Sequence, residues 1–308
     1  MVGYEGRRVL ITGGTGFIGS RLAERLAIEE RARVRVLVRT WSKASWVSRA
    51  DVELVPGDVG EPAALAEATA GCDVVFHCAA GGGARHVCDA VNVEGTRNVL
   101  DAAARAGVGR LVHVSSIAVH GPDLPEGGDE TMPLRRLGTP YGDSKIAAEE
   151  LVLEAGRERG LPVTIVRPTF VWGPCSPFFT VMPVVKMKTG HWFLVDGGRG
   201  TCNAVYIDHL VDALLLAGVK PESVGEAFLV TDDTGCTWGD FFGRYARMLG
   251  KERLPSVRSD SATVRLALYP LGAVDWLLAP VSRTPEREPA RFLVRGTRFT
   301  LMRVRGGL

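Results

Sequence analysis

The sequence predicts an α/β protein, a doubly wound parallel sheet followed by a smaller mixed C-terminal lobe. Three observations predict it. Short β-branched runs alternate with helical patterns through the first half of the chain, the order that produces parallel strands joined by helical crossovers. The runs are nearly continuous in apolar residues, as strands covered by helices on both faces must be. Between the first run and the first helical pattern, "VLITGGTGFIGS" (Val9 to Ser20) carries four glycines, more than a plain strand-to-helix turn needs.

Taken in order, the strands are "RRVLIT", "RVRVLVR", "VELVPGD", "DVVFHCAA", "RLVHVSS" and "PVTIVRP". Amphipathic helices lie between most of them. In "NVEGTRNVLDAAARAG", Val99 and Ala103, or Leu100 and Ala104, share a face at helical spacing. From about Phe178 the alternation decays, and "WFLVDGG", "AVYIDHLVDALLLAG", "EAFLVTDD" and "TWGDFFGRYARMLG" read as a mixture of short strands and helices. The expected division is a sheet domain over 1–177, with returning segments near 200–235, and a substrate lobe over 178–308. Within that lobe, Leu266 to Val281 is apolar but interrupted by Pro270, Asp275 and Pro280. It is shorter than the ~20 residues that cross a bilayer, so it reads as a lid or a core helix pair. The arginines after it, Arg283, Arg287, Arg291, Arg295 and Arg298, read as solvated charge.

Bulk properties exclude more than they assign. A chain of 308 residues with 46% hydrophobic and 23% charged residues suits an ordinary globular protein, and a net charge of +2 exerts no general pull on nucleic acid or membrane. The start, "MVGYEGRRVLIT", enters a strand with no long apolar stretch, which predicts neither leader nor anchor and a cytoplasmic protein. Six cysteines are scattered without a CxxC pair, which argues against a disulfide framework or a zinc knuckle. His77, His113, His191 and His209 are too dispersed to form a metal site, so none is expected.

The glycines have a mechanical reading. Behind a strand and ahead of a helix, Gly13 permits a sharp turn, Gly16 lets peptide amides approach a pyrophosphate, and Gly19 lets helix and strand pack closely. The helix N-terminus then faces the anion. The alternative is a plain strand-turn-helix, but the loop follows the first strand of a βαβ series, where a dinucleotide would be held. At the end of the second strand a carboxylate would read the 2′-hydroxyl of NAD, but here the strand ends Val38-Arg39. NADP(H) is therefore expected, with NAD as the alternative. Arg39 then holds the 2′-phosphate, unless it is a solvated arginine stacked on adenine. Asp58 stands where a carboxylate meets the adenine amino group, or caps the helix of "EPAALAEATAG".

"RLVHVSSIAVHG" ends the fifth strand with Ser115 and Ser116, and "YGDSK" follows some twenty-five residues later. Tyr141 and Lys145 are four residues apart at the head of a helix and so share a face. An adjacent ammonium favours the phenolate, which would lower the tyrosine from its reference value of about 10 toward working pH. A phenol so tuned handles the proton of an alcohol, while a strand-end hydroxyl hydrogen-bonds the same oxygen. Singly, each of these residues has a bland reading as a surface group or cap; the combination with the glycine loop, in this chain order, favours the functional one.

With "TGGTGFIG", "GDVGEP", "FHCAA", "NVEGTRNVLDAA", "VSSIAVHG", "YGDSK", "VRPTFVWGP" and "VYIDHLVDAL" in order over roughly the first 250 residues, the chain resembles the extended short-chain dehydrogenase/reductases. That superfamily holds NAD(P)-dependent epimerases/dehydratases and 3β-hydroxysteroid-dehydrogenase-like enzymes. The resemblance implies that Tyr141 is the catalytic acid or base, that Lys145 binds the nicotinamide ribose and tunes the tyrosine, and that Ser116, not Ser115, supplies the hydroxyl. It places Gly13, Thr15, Gly16, Phe17, Ile18, Gly19, Arg39, Asp58 and Val59 on the dinucleotide. Ala79 and Ala80 would line the cofactor, Asn92 would stand near the active site, and Pro168 and Val171 would border the nicotinamide.

The same trio serves carbonyl reduction, alcohol oxidation and sugar-nucleotide epimerisation. Dehydratases of this type add an acidic pair after the hydroxyl; Ile117 and Ala118 follow Ser116, so elimination is not expected. Epimerases of this type present an arginine to the substrate diphosphate just before "VYIDHL", where this chain has Cys202, with Arg199 the nearest substitute. The reading is thus an NAD(P)-dependent oxidoreductase acting on a secondary alcohol/ketone pair. An epimerase with tightly bound NAD is the alternative, and a non-catalytic dinucleotide sensor a lesser one. Arg85 and His86, after a short glycine-rich loop, are candidates for an acidic substrate or simply solvated, and His120 is expected to pack. The tail "RFTLMRVRGGL" stops where relatives commonly continue, implying an abbreviated lobe. The expected partner is a small-molecule substrate, without nucleic acid or an integral membrane segment. By the same resemblance, "NVEGTRNVLDAAARAG" and "YGDSKIAAEELVLEAG" would pair in a homodimer.

Overall fold

The computed structural model describes residues 3–258 apart from 123, 126 and 234. In chain order the elements are β1 (Arg8–Thr12), α1 (Phe17–Ile28), β2 (Arg33–Val38), β3 (Val52–Pro56), α2 (Pro62–Thr69), β4 (Val74–His77), α3 (Arg85–Cys88), α4 (Gly95–Ala106), β5 (Arg110–Val114) and α5 (Pro140–Arg159). There follow β6 (Val163–Pro168), β7 (Phe170–Trp172), α6 (Met182–Lys188), β8 (Leu194–Val195), β9 (Ala204–Tyr206), α7 (Ile207–Val219), β10 (Ala227–Val230), α8 (Trp238–Met248) and β11 (Ser256–Val257). All six strands read from the sequence form. The apolar stretch from Leu266 to Val281 and the arginines after it lie outside the described residues.

Seven strands make one parallel sheet in the order β10-β6-β5-β4-β1-β2-β3, so the chain reverses its direction of winding between β1 and β4. Side chains alternate across each strand, and two cores result. On one face Val9, Ile11 and Phe76 pack with Leu22 and Leu26 of α1 and Leu210 and Leu214 of α7. On the other, Leu10, Val75, Leu111 and Ile165 pack with Leu65 of α2, Val99 and Ala103 of α4 and Val152 of α5. Residues covered on both faces explain why the strands read as unbroken apolar runs. β10 enters as the outer strand beside β6, Ala227 opposite Ile165. The piece "EAFLVTDD" therefore belongs to the main sheet.

The described residues fall into two compact units. The sheet unit comprises Met1–Gly121, Pro125–Phe179 and Asn203–Asp233. The second comprises Pro122–Leu124, Thr180–Cys202 and the described residues after Asp233. It has its own small core of Met187, Phe242 and Ala246, flanked by Trp192, Trp238 and Tyr245. Its α8 opens on a capping box, with Thr237 accepting from Asp240 N–H and the Asp240 carboxylate accepting from Thr237 N–H. No helix among the described residues is long and apolar enough to cross a membrane.

Candidate active site

The carboxyl ends of β1, β4 and β5 gather the sequence-predicted residues at the point where the strand order reverses, the position at which open parallel sheets bind ligands. The glycine loop has the tight geometry a diphosphate cradle requires. Gly13 takes φ +71°, and a Cβ there would stand 2.5 Å from the backbone nitrogen of Ala79, just past β4. A Cβ on Gly19 would stand 2.4 Å from the Gly13 carbonyl oxygen, so loop and helix touch through bare backbone. α1 starts at Phe17 with Gly16 as its N-cap and no side chain over its free amides. Ala79 is half-buried and Ala80 exposed beside this loop. These residues fit a dinucleotide.

At the end of β2, Arg39 is exposed and its guanidinium pairs with the Asp58 carboxylate at 3.1 Å. The other Asp58 oxygen accepts from Gly60 N–H at 2.8 Å. Asp58 does not cap α2 as the sequence allowed, because that helix begins at Pro62 behind Glu61. Val59 is buried in the core beside α2, and its carbonyl accepts from Asn98 Nδ2 at 3.0 Å.

Tyr141 opens α5 one residue behind Pro140, a proline placed where no helical donor is lost. Ser116 lies just past β5, where its hydroxyl accepts from Ala118 N–H at 3.2 Å, and its influence on the Tyr141 phenol favours proton loss. One turn on, Lys145 is almost fully buried, and its Nζ donates to the Val114 carbonyl at 2.7 Å. Burial pulls this ammonium down to about 8, against the opposing field of Glu149. The expected downward shift of Tyr141 is not found. Burial pushes the phenol up and outweighs the opposing influence of Ser116, while the Lys145 charge is directed at a strand carbonyl. Ser115 is buried with its N–H bonded to Val166, which leaves Ser116 as the hydroxyl beside the phenol.

Asn92 sits in a π-helical stretch, Asp89–Glu94, between α3 and α4. Its amide accepts from Gly81 N–H at 2.7 Å and donates to the Ser144 hydroxyl at 2.9 Å, tying the β4 loop to α5. Pro168 closes β6, buried, and Val171 is half-buried in β7 opposite Val205 of β9. Arg85 is not held open for an acidic substrate, since it donates to the Gly138 carbonyl and pairs with Asp143 at 3.3 Å. Arg199 is exposed and Cys202 buried, both in the second unit. No cluster of metal-ligating side chains occurs among the described residues.

Two buried polar groups beneath the site escaped sequence reasoning. Arg167 makes a two-pronged ion pair with Glu149, Nε to Oε1 at 3.0 Å and Nη2 to Oε2 at 2.7 Å, directly behind Lys145 on α5. The readable signal was a carboxylate one further turn along from Tyr141 and Lys145. His77 bridges the Thr12 and Thr96 hydroxyls at 2.6 and 2.9 Å, and its ring lies 5.3 Å from that of His113. His120 packs between the Pro133 carbonyl and Arg167.

Known proteins are similar to this chain in sequence and fold. The profile of the NAD dependent epimerase/dehydratase family matches residues 9–230. A 4-hydroxy-2-methyl-3-oxo-4-farnesyl-3,4-dihydroquinoline-1-oxide ketoreductase of Stigmatella aurantiaca is 33% identical over 96% of this chain and 88% of its own. A 3-beta-hydroxysteroid dehydrogenase of Mycolicibacterium neoaurum is 30% identical over 85% of this chain and 75% of its own. Among solved structures, the epimerase Mth375 of Methanothermobacter thermautotrophicus superposes with a TM-score of 0.75 at 25% identity, covering 83% of this chain and 81% of that one. The chain belongs to the NAD dependent epimerase/dehydratase family and is an NAD(P)-dependent oxidoreductase or epimerase of the extended short-chain dehydrogenase/reductase type.

Proposed function

We propose that this protein is an NADP(H)-dependent reductase that interconverts a ketone and a secondary alcohol. The observation that carries the reading is the grouping at the carboxyl end of β5: Ser116 just past the strand, and Tyr141 and the buried Lys145 one turn apart at the head of α5, with Lys145 Nζ bonded to the Val114 carbonyl. The glycine loop from Gly13 to Gly19, with Thr15, Phe17 and Ile18, holds the dinucleotide, with Asp58 and Val59 at its adenine end and Ala79, Ala80, Pro168 and Val171 along its length. When bound, the nicotinamide supplies or accepts the hydride. Ser116 donates a hydrogen bond to the substrate oxygen and fixes its position. Tyr141 gives that oxygen its proton in reduction and takes it back in oxidation. Its raised phenol is a proton reservoir at neutral pH, suited to reduction. Lys145 orients the ribose and, once its charge faces the phenol, eases proton release. The missing arginine before β9 argues against a sugar diphosphate.

Tyr141→Phe tests this. NADPH oxidation with an apolar ketone is expected to fall at least 10²-fold while NADPH binding is retained. Full activity in that variant refutes the proton donor; substrate conversion without net NADPH consumption establishes an epimerase instead.

A further inference from the structure

Asp143 stands in the first turn of α5, between Tyr141 and Lys145, and its carboxylate holds two separate segments. Oδ1 accepts from Leu137 N–H at 3.1 Å, and Oδ2 pairs with the Arg85 guanidinium at 3.3 Å. The same Arg85 nitrogen donates to the Gly138 carbonyl at 2.9 Å. Two side chains thus join the loop after β4, the segment that leads into α5, and the head of that helix.

Both joined segments border the carboxyl ends of β4 and β5, where Ser116 and Tyr141 stand. In the loop after β4, Gly81 is bonded at its N–H and its carbonyl to the Asn92 amide, at 2.7 and 3.0 Å, whereas Gly82 to His86 are exposed. A Cβ on Gly82 would meet no atom within 4 Å, so the loop past Gly81 is thinly packed and Arg85 tethers it. The other segment is fastened at its start, the Glu130 carbonyl to Arg167 at 2.9 Å and Arg135 N–H to the Val119 carbonyl at 2.8 Å. Leu137, further on, is 52% exposed and lies against the turn that follows Ser116: a Cβ on Gly121 would stand 3.1 Å from its Cδ1. With the charges of Arg85 and Asp143 spent on each other, the exposed group beside that turn is a leucine.

We propose that the Arg85–Asp143 pair is a specificity-determining clamp, which holds Leu137 and the loop after β4 in place and so limits the size of the ketone that reaches Ser116 and Tyr141. This inference rests on the reductase reading of the site. Neither side chain touches the reacting atoms; both are positioning residues. The Arg85 side chain is 49% exposed, and an ion pair so placed adds little to global stability. Its loss therefore loosens the two segments locally while the sheet stays folded. Asp143→Ala releases both segments, and Arg85→Met releases the loop while Leu137 keeps its bond to Asp143.

The test compares NADPH oxidation by the full-length chain with a one-ring ketone, cyclohexanone, and a fused two-ring ketone, 2-decalone. In Asp143→Ala the ratio of kcat/KM for decalone over cyclohexanone should rise about tenfold, the scale on which a pocket sorts apolar substrates by size. Arg85→Met should raise it less, and Arg85→Lys, which keeps the charge, should stay near the wild type. Amide hydrogen exchange of the NADPH-bound protein supplies a second readout: residues 81–88 and 130–138 should exchange faster in Asp143→Ala, with α1 unchanged. Wild-type protein that reduces neither ketone overturns the reductase reading and the clamp with it. Reduction of cyclohexanone with an unaltered ratio in Asp143→Ala overturns the clamp alone, as does unaltered exchange in both segments.

Discussion

The Nζ of Lys145 donates to the main-chain carbonyl of Val114 at 2.7 Å, fastening the head of α5 to the end of β5. This bond holds the ammonium in a dry site where burial brings it down to about 8. Lys145 is thus charged below that pH and neutral above it. Reduction is expected to slow as pH rises through about 8, because the cation that assists Tyr141 is lost. A kcat profile from pH 6 to 10 checks this. Lys145→Met should be slow throughout and lack the limb; a limb that survives in Lys145→Met assigns it to another group.

Acid should destabilise the fold through buried imidazoles. Burial lowers His77 from 6.5 to about 3, and His113, with neither ring nitrogen hydrogen-bonded among the described residues, falls well below 6.5. His120 is lowered too. A group with depressed folded affinity for protons binds more of them when unfolded. Its contribution is intact above 6.5 and is lost as pH falls toward 3. Each fully excluded proton costs about 1.4 kcal/mol per pH unit in that window. Urea midpoints at pH 7 and 5.5 should separate accordingly, and less so in His113→Phe. Parallel losses in the two proteins would show that His113 does not titrate this way.

How far the sequence carries can be seen at single residues. Glycine positions, strand runs and the Tyr141–Lys145 spacing depend on local rules, and they appear in the structure where those rules put them. The β10 strand was harder to place. Its partner β6 lies some sixty residues earlier, and only tertiary pairing sets Ala227 against Ile165. The shift of Tyr141 was misread because spacing along a helix gives adjacency, whereas a pKa answers to burial and to the partner that captures the lysine. Arg85 looked available in the sequence, but Gly138 and Asp143 that hold it are more than fifty residues away.

Glu149 and Arg167 form a buried pair, at 0% and 7% side-chain exposure, with Lys145 as a second cation one turn from Glu149. Glu149→Gln removes the only negative member of this trio. The uncompensated arginine should cost about 3–5 kcal/mol in urea denaturation. It also removes the field that opposes burial at Lys145, so the alkaline limb of kcat should move to lower pH. A double variant, Glu149→Leu with Arg167→Met, should recover much of the stability, since no buried charge is then stranded. If Glu149→Gln is neutral in both readouts, the pair neither stabilises α5 nor tunes Lys145.

On the proposed function, Arg39 is expected to set cofactor preference. Its side chain is 64% exposed and its Asp58 partner 25% exposed, so the ion pair contributes under about 1 kcal/mol and yields readily. A 2′-phosphate offers the guanidinium a doubly charged, fork-matched acceptor in place of one carboxylate oxygen. Hydrogen bonds to charged groups contribute roughly 1.5–3 kcal/mol, equivalent to about a 10–150-fold preference. Arg39→Ala should lower the ratio of kcat/KM for NADPH over NADH by about that factor, mostly through KM for NADPH. Asp58→Asn should act in the opposite sense, because it releases Arg39 and removes a negative charge beside the phosphate. If the wild-type protein prefers NADH, or Arg39→Ala leaves the ratio unchanged, Arg39 serves only as the partner of Asp58 and the adenine end is built for NAD.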